Sequence, residues 1–224
     1  MSSDPDVTAA WTDESYVAGW TAADGLVGLL RLPWRLTTAL TSIEGPPRLV
    51  MDLGSGPGTF LNEFLTRFPT AQGIWVDASD AMLGPAQELL ARHGDRVSYV
   101  LGDVAKLSTF DVPDDCDVVT NSRVAHHFDP TGLTDFYRQV HGCLRTGGWL
   151  ATLDHILPPG EWNTRYRTVI KEFAGSNAGK PTHPHYFPFP TPEGHMRSFA
   201  DAGFVETDLA WRAMYTCLFL GRAG

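Results

Sequence analysis

The chain has too little cysteine for a disulfide framework. Cys116, Cys143 and Cys217 lie far apart and form no CxxC pair. Scattered thiols in odd number fit a reduced, cytoplasmic protein. Basic runs are also missing: 17 Lys and Arg stand against 26 Asp and Glu, for a formal net charge of −9. That field repels DNA or RNA, so no nucleic-acid partner is expected and the acidity reads as solubility. No apolar stretch is long enough to span a membrane, since residues 26–40 are broken by Arg31, Pro33 and Arg35. Residues 1–6 are acidic and polar and lack the basic and apolar parts of a signal peptide. There is no internal repeat, and no pattern specifies an oligomeric state.

What is present is ordinary globular material: 224 residues, 43% hydrophobic and 19% charged, enough for one α/β domain. Apolar residues at helical spacing predict two N-terminal helices over 7–24 and 25–42, with Pro33 kinking or ending one. Gly45-Pro46-Pro47 is a stop. Strands are then expected at 48–53, 71–76, 97–101, 117–120 and 149–153. Helices are expected between them at 59–68, 79–93 (Ser79 as N-cap) and 131–144. This alternation implies a parallel sheet covered on both faces. Residues 156–190 interrupt it with prolines and glycines and one helix at 161–173. A helix at 191–202, with Thr191 as cap and Pro192 first, leads into an antiparallel hairpin, 204–211 and 215–220.

The most informative stretch is Asp52-Leu53-Gly54-Ser55-Gly56-Pro57-Gly58, an acid ending a strand before a glycine loop and a helix. Glycines admit a ligand where a Cβ would collide, and open parallel sheets bind at the carboxyl ends of strands. The spacing is Gly-x-Gly-x-Gly. The dinucleotide loop Gly-x-Gly-x-x-Gly, which sets a pyrophosphate on a helix N-terminus, is missing. Asp52 would repel phosphate and suits a cationic amine, directly or through water. Asp77 ends the second strand, where it can accept bonds from both ribose hydroxyls. Asp103 follows the third strand and can accept a bond from an adenine amine, with Val104 adding apolar contact. One such acid is often only a helix cap; three on consecutive strands fit a ligand better.

With these residues the chain resembles the class I S-adenosylmethionine-dependent methyltransferases, over about residues 48–155. The resemblance implies a Rossmann-like, seven-stranded, mostly parallel sheet with a reversed final strand. It puts Gly54, Ser55, Gly56 and Gly58 at the methionine part of S-adenosylmethionine, Asp77 at the ribose and Asp103 at the adenine. Ala78 and Met82 stand where the family packs residues beside the adenosine. Leu144-Arg145-Thr146-Gly147-Gly148 resembles the family's turn into strand five. A nicotinamide dinucleotide is the competing cofactor, disfavoured by the loop spacing and Asp52.

Strand four leads into Asn121-Ser122-Arg123-Val124-Ala125-His126-His127-Phe128. Asn121 and Ser122 can hold the cofactor's methionine part or the substrate. The Asn- or Asp-Pro-Pro-aromatic motif of nucleic-acid amine methylases is missing. His126 and His127 are base candidates, because neutral imidazole can take a hydroxyl proton. The segment resembles the one holding the catalytic histidine of many small-molecule O-methyltransferases, with His126 at that position. It departs from them at His127, where an acid is usual. Packing remains open for both. Asp154 and His155 end strand five and can orient substrate or assist a base, or make a loop-start hydrogen bond. His183 and His185 can be read as metal ligands with Asp154, but no paired carboxylates or thiolates lie near them, and no metal is expected. His93, His141 and His195 fall on helices and read as structural or solvated.

The domain divides into an N-terminal helical cap (1–45), a cofactor core (48–155), a substrate lid (156–190) and the last helix and strands (191–224). Trp11, Tyr16, Trp20, Trp34, Trp162, Tyr166, Tyr186, Phe187 and Phe189 are candidates to line an acceptor pocket under the lid, or to pack the added helices. The expected function is methyl transfer to a small-molecule acceptor, O-methylation first, in natural-product metabolism. The alternatives are the same fold binding the cofactor while catalysing a cyclisation or elimination, and RNA methylation.

Overall fold

The structure is a computed structural model of the chain and describes residues 14, 24–173 and 188–224. The expected helix over 7–24 and the loop beyond residue 173, with Trp11, Tyr16, Trp20, His183, His185, Tyr186 and Phe187, lie outside the described residues. In chain order the elements are α1 (Asp24–Leu40), β1 (Leu49–Leu53), α2 (Thr59–Arg67), β2 (Gln72–Asp77), α3 (Asp80–Leu90), β3 (Val97–Leu101) and β4 (Cys116–Ser122). They continue with α4 (Pro130–Gly142), β5 (Leu144–His155), α5 (Trp162–Phe173), α6 (Pro192–Ala202), β6 (Phe204–Ala213) and β7 (Thr216–Ala223). Short 3-10 turns follow α3, β3 and β4.

The strands form one seven-stranded sheet in the order β3-β2-β1-β4-β5-β7-β6. β1 to β5 are parallel, and β7 runs antiparallel to both β5 and β6. Chain order reverses between β1 and β4, and such a switch point is where open α/β sheets bind their ligands. Strand alternation sorts the core. Val50, Trp75, Val118 and Leu153 pack with α1, α2 and α3, while Met51, Val76, Val119 and Leu150 pack with α4 and α6 on the other face.

Several elements depart from expectation. Pro33 lies inside α1 and does not end it. Leu30, Trp34 and Thr37 are buried there, and Thr37 Oγ1 donates to the Pro33 carbonyl at 2.8 Å, so packing sustains the helix past the missing N–H. Trp34 packs on Phe60 of α2 with ring centroids 5.9 Å apart, a core position. The second expected helix stops at Leu90 and continues as a 3-10 turn to Arg96, with Gly94 at φ 58°. Ser79 holds the N-cap position of α3, but its side chain makes no cap hydrogen bond. β5 begins at Leu144, so the expected glycine turn is part of the strand, where the β4–β5 register shifts between Cys116 and Val118. Thr191 caps α6 by accepting from Gly194 N at 3.1 Å, as its sequence position indicates.

The lower edge of the sheet is clamped by Asp117. Its carboxylate accepts the Arg48 and Leu49 N–H groups at 2.8 and 3.0 Å and Arg145 Nε at 2.6 Å. Burial pushes its pKa up, but the Arg145 guanidinium and the two N–H groups outweigh this and hold it below the usual carboxylate range. A depressed carboxyl pKa gives stability that is present above the unfolded value and lost as pH falls through the folded one. Asp117→Ala should therefore cost about 1–3 kcal/mol at neutral pH, for donors left unpaired. Urea unfolding checks this, and an unchanged midpoint would remove the clamp from the account.

Candidate cofactor and acceptor site

The glycine loop is fixed by contacts on every side. Gly54, Gly56 and Gly58 have φ of 62°, 53° and 82°, left-handed values that favour glycine. A Cβ on Gly54 would lie 2.3 Å from Val124 Cγ2, so the loop leaving β1 is packed hard against the segment leaving β4. A Cβ on Gly56 would meet nothing nearer than Met82 Sδ at 4.0 Å, so this side of the loop is open to a ligand.

The N–H groups of the loop are used internally. Ser55 N donates to Val76 O at 3.1 Å, Gly58 N to Ser55 O at 2.9 Å and Gly56 N to Asp77 Oδ2 at 2.7 Å, while Pro57 has no N–H. Residues 55–58 therefore offer no donor to a phosphate, the usual purpose of a glycine loop at a helix N-terminus. With carboxylates beside it, the loop suits a cationic ligand.

Asp52 is fully buried beneath the loop. Its oxygens accept Ser55 Oγ at 2.6 Å and Thr120 Oγ1 at 2.7 Å. Burial raises its pKa to about 6, against the hydrogen bonds from Ser55 and Thr120. It holds the loop and supplies a negative field from below, which gives no support to direct contact with an amine. Asp77 is part-buried at the end of β2, accepting Ser79 N through Oδ1 at 2.8 Å and Gly56 N through Oδ2. Each oxygen keeps a second lone pair for a hydroxyl. Burial raises its pKa as well, countered by the Ser79 and Gly56 N–H groups. Asp103 accepts Ala105 N at 2.9 Å and caps the 3-10 turn after β3, with Lys106 3.5 Å away. Capping thus describes this third acid as the structure stands. Ala78 is part-buried and Met82 buried beside the loop, and Val104 packs against the core under α4.

The second half of the site is built where β4 and β5 end. Asn121, Thr152 and Asp154 point to the α4 face, opposite Asp52 and Thr120. Asn121 Nδ2 donates to Thr152 Oγ1 at 2.9 Å, and its buried Oδ1 has no partner among the described residues, nor has Ser122 Oγ. Asn121 therefore belongs to the side of His126 and not to the glycine loop. Asp154 is fully buried. Oδ1 accepts His126 Nδ1 at 2.5 Å and His155 N at 2.6 Å, and Oδ2 accepts His126 N at 3.1 Å. Burial would raise its pKa, but His126 overrides this and holds it well below the usual carboxylate range. With Nδ1–H engaged by Asp154, the lone pair of His126 falls on Nε2. The His126 ring lies 4.1 Å from His127, 5.1 Å from His155 and 5.2 Å, edge-on, from Phe189, which itself stacks on His155.

Sequence reasoning gave Asp154 only an optional part and did not single out Trp75, Thr120 or Arg123. Trp75 Nε1 donates to Gly56 O at 2.8 Å. Arg123 has φ 60°, unusual for a side chain of its size, at the exit of β4, and burial lowers its pKa to about 10 against the pull of Asp154. For Asp154 the signal was available: it ends a strand as Asp52 and Asp77 do. His195, expected to be structural, is buried and bonded to the Tyr137 hydroxyl at 2.7 Å.

Comparison with known proteins agrees with this geometry. A family model described as a methyltransferase domain matches residues 50–148, the span from β1 into β5 that carries the glycine loop, Asp52, Asp77, Asp103 and His126, while Asp154 and His155 lie beyond it. Residues 50–148 are thus a methyltransferase domain, in the fold of the class I S-adenosylmethionine-dependent methyltransferases. The methyltransferase domain is 31% identical over 114 residues to a 3-amino-4-hydroxybenzoate 4-O-methyltransferase of Streptomyces cremeus, covering 50% of this chain and 30% of that one. It is 24% identical to a demethylmenaquinone methyltransferase of Roseiflexus castenholzii, covering 93% of this chain and 90% of that one. In fold it matches human N-acetylserotonin methyltransferase, solved with S-adenosylmethionine, at a TM-score of 0.67 and 16% identity over all of this chain and 60% of that one. The chain thus spans about a third of the Streptomyces relative. No helix among the described residues is long and apolar enough to cross a membrane.

Two measurements follow for the methyltransferase loop. Asp77→Ala should weaken binding of S-adenosylmethionine and S-adenosylhomocysteine at least tenfold in calorimetric titration; retained affinity would take Asp77 out of the site. For Asp52, a pKa raised from 3.8 to about 6 means stability present below pH 4 and lost as pH rises through 6, on the order of 3 kcal/mol. Asp52→Asn should remove that slope and be at least as stable as the parent at pH 7.5. An equal loss of stability at pH 4.5 and 7.5 would contradict it.

Proposed function

We propose that the chain methylates an oxygen of a small planar acceptor, with His126 as the base. The observation that carries this reading is the buried His126–Asp154 pair, which fixes one imidazole tautomer two residues beyond Val124, the side chain packed on Gly54 of the loop. S-adenosylmethionine supplies an electrophilic methyl carbon on a sulfonium. The residues fit that group: an open face at Gly56, carboxylates at Asp52 and Asp77, and no phosphate donors in the loop.

His126 Nε2 would take the hydroxyl proton as the acceptor oxygen receives the methyl group that S-adenosylmethionine would supply, leaving S-adenosylhomocysteine. Asp154 holds the ring in place and stabilises the imidazolium, the orienting role of the acid in a catalytic triad. Asn121 stands on the acceptor side of strand four as a polar contact for it, while Ser122, one residue on, alternates to the face of Thr120 and Asp52. His127, His155 and Phe189 wall the position with flat rings, which favours a planar acceptor. The hydroxybenzoate named for the Streptomyces relative is such a molecule.

The described residues 156–173 and 188–190 are read as parts of a lid. Its described part reaches the pocket through Phe189 and is tied down where Tyr215 Oη donates to Asn163 Oδ1 at 2.6 Å. Closure would exclude water and align the acceptor.

The test is S-adenosylhomocysteine formation with a panel of hydroxybenzoates, catechols and quinols. An active phenol is expected, with His126→Ala lowering kcat by about 10²–10⁴ and leaving cofactor affinity unchanged. Asp154→Asn should act in the same direction. A His126→Ala enzyme within threefold of the parent would dismiss the base, and turnover of an acceptor without S-adenosylhomocysteine would dismiss methyl transfer.

A further inference from the structure

Gly56 is held at both ends by one strand. Its N–H goes to Asp77 Oδ2 at 2.7 Å and its carbonyl accepts Trp75 Nε1 at 2.8 Å. Trp75 and Asp77 are two apart on β2, so they project from the same face. The peptide between Gly56 and Pro57 has no N–H, so its plane can be anchored only through the carbonyl. The anchoring indole is 0% exposed and rests against Tyr99, ring centroids 5.9 Å apart. Its N–H cannot be satisfied by water, and a buried donor left unpaired is costly. The hydrogen bond therefore constrains both partners: without it Trp75 carries an orphan donor, and Gly56 can turn about its left-handed backbone.

We propose that Trp75 is a cofactor-positioning residue: by fixing the Gly56 carbonyl it keeps the loop, and through Gly56 N–H the Asp77 carboxylate, in the binding geometry before the ligand arrives. The loop then binds without first being ordered, and preorganisation of this kind appears as affinity. This rests on the loop being the cofactor site. Trp75 touches the loop from below, so its effect is on binding and not on the transfer itself.

The experiment is calorimetric titration of the parent, Trp75→Phe and Tyr99→Leu with S-adenosylmethionine and S-adenosylhomocysteine, beside thermal unfolding. Trp75→Phe removes the donor and keeps a ring. Its dissociation constants for both ligands should rise about tenfold, with Tm within a few degrees of the parent. Tyr99→Leu removes the packing and keeps the donor; it should lower Tm and leave both constants within twofold. Should Trp75→Phe not fold, Trp75→Tyr, bulkier but still without the indole donor, should show the same rise. Parent affinity in the Trp75 variants, an equal loss in Tyr99→Leu, or failure of both Trp75 variants to fold would each overturn the inference and leave the cofactor reading standing. No binding by the parent would remove both.

Discussion

Three carboxylates, Asp52, Asp77 and Asp154, are sunk into the same edge of one sheet, and the rest of the site is arranged around keeping them there. Burying a carboxylate is unfavourable unless donors replace the water it loses. Each is compensated differently. Asp52 receives two hydroxyls and remains under strain, with a raised pKa. Asp77 receives two backbone N–H groups and keeps an outer face. Asp154 receives two backbone N–H groups and an imidazole, and stays ionised. The differences divide the work: a field beneath the loop, a hydrogen-bonding surface at the end of β2, and an anion that orients a base.

The parallel sheet makes this possible because strand ends set the positions. β1 and β2 bring Asp52 and Asp77 to the glycine loop, while β4 and β5 bring Asn121 and Asp154 to the opposite face. The two halves meet where Val124 fills the space a side chain on Gly54 would need. His126 follows that contact by two residues. Gly54 is thus required as much by the acceptor side as by the ligand.

Much of this could be read in the sequence. The seven strands, their alternation with helices and the closing hairpin follow from apolar runs and turn residues, and the loop with Asp52 and Asp77 from strand-end acids before glycines. What could not be read depends on contacts across the sheet. Pro33 survives inside α1 because Leu30, Trp34 and Thr37 are buried together, which no local propensity reports. Asp154 pairs with His126 across 28 residues, and Trp75 reaches Gly56 across 19, so neither partner is visible from either side alone.

The long-range pairing also bears on what the dyad can do. Asp154 is the anion that the nearly wholly buried His126 meets. It is anchored by two backbone N–H groups as well as by the ring, so it need not move when the ring becomes cationic. A dipole already aimed at the developing charge requires no reorganisation during the reaction. On the proposed reading, a cation enters this site with the cofactor's sulfonium and is replaced, after transfer, by one on His126. The site then holds one anion and one cation in the dyad's neighbourhood before and after the step. An acceptor that gives up a proton as it is methylated, as a phenol does, fits such a site, and this is the physical ground for the proposed hydroxyl acceptor.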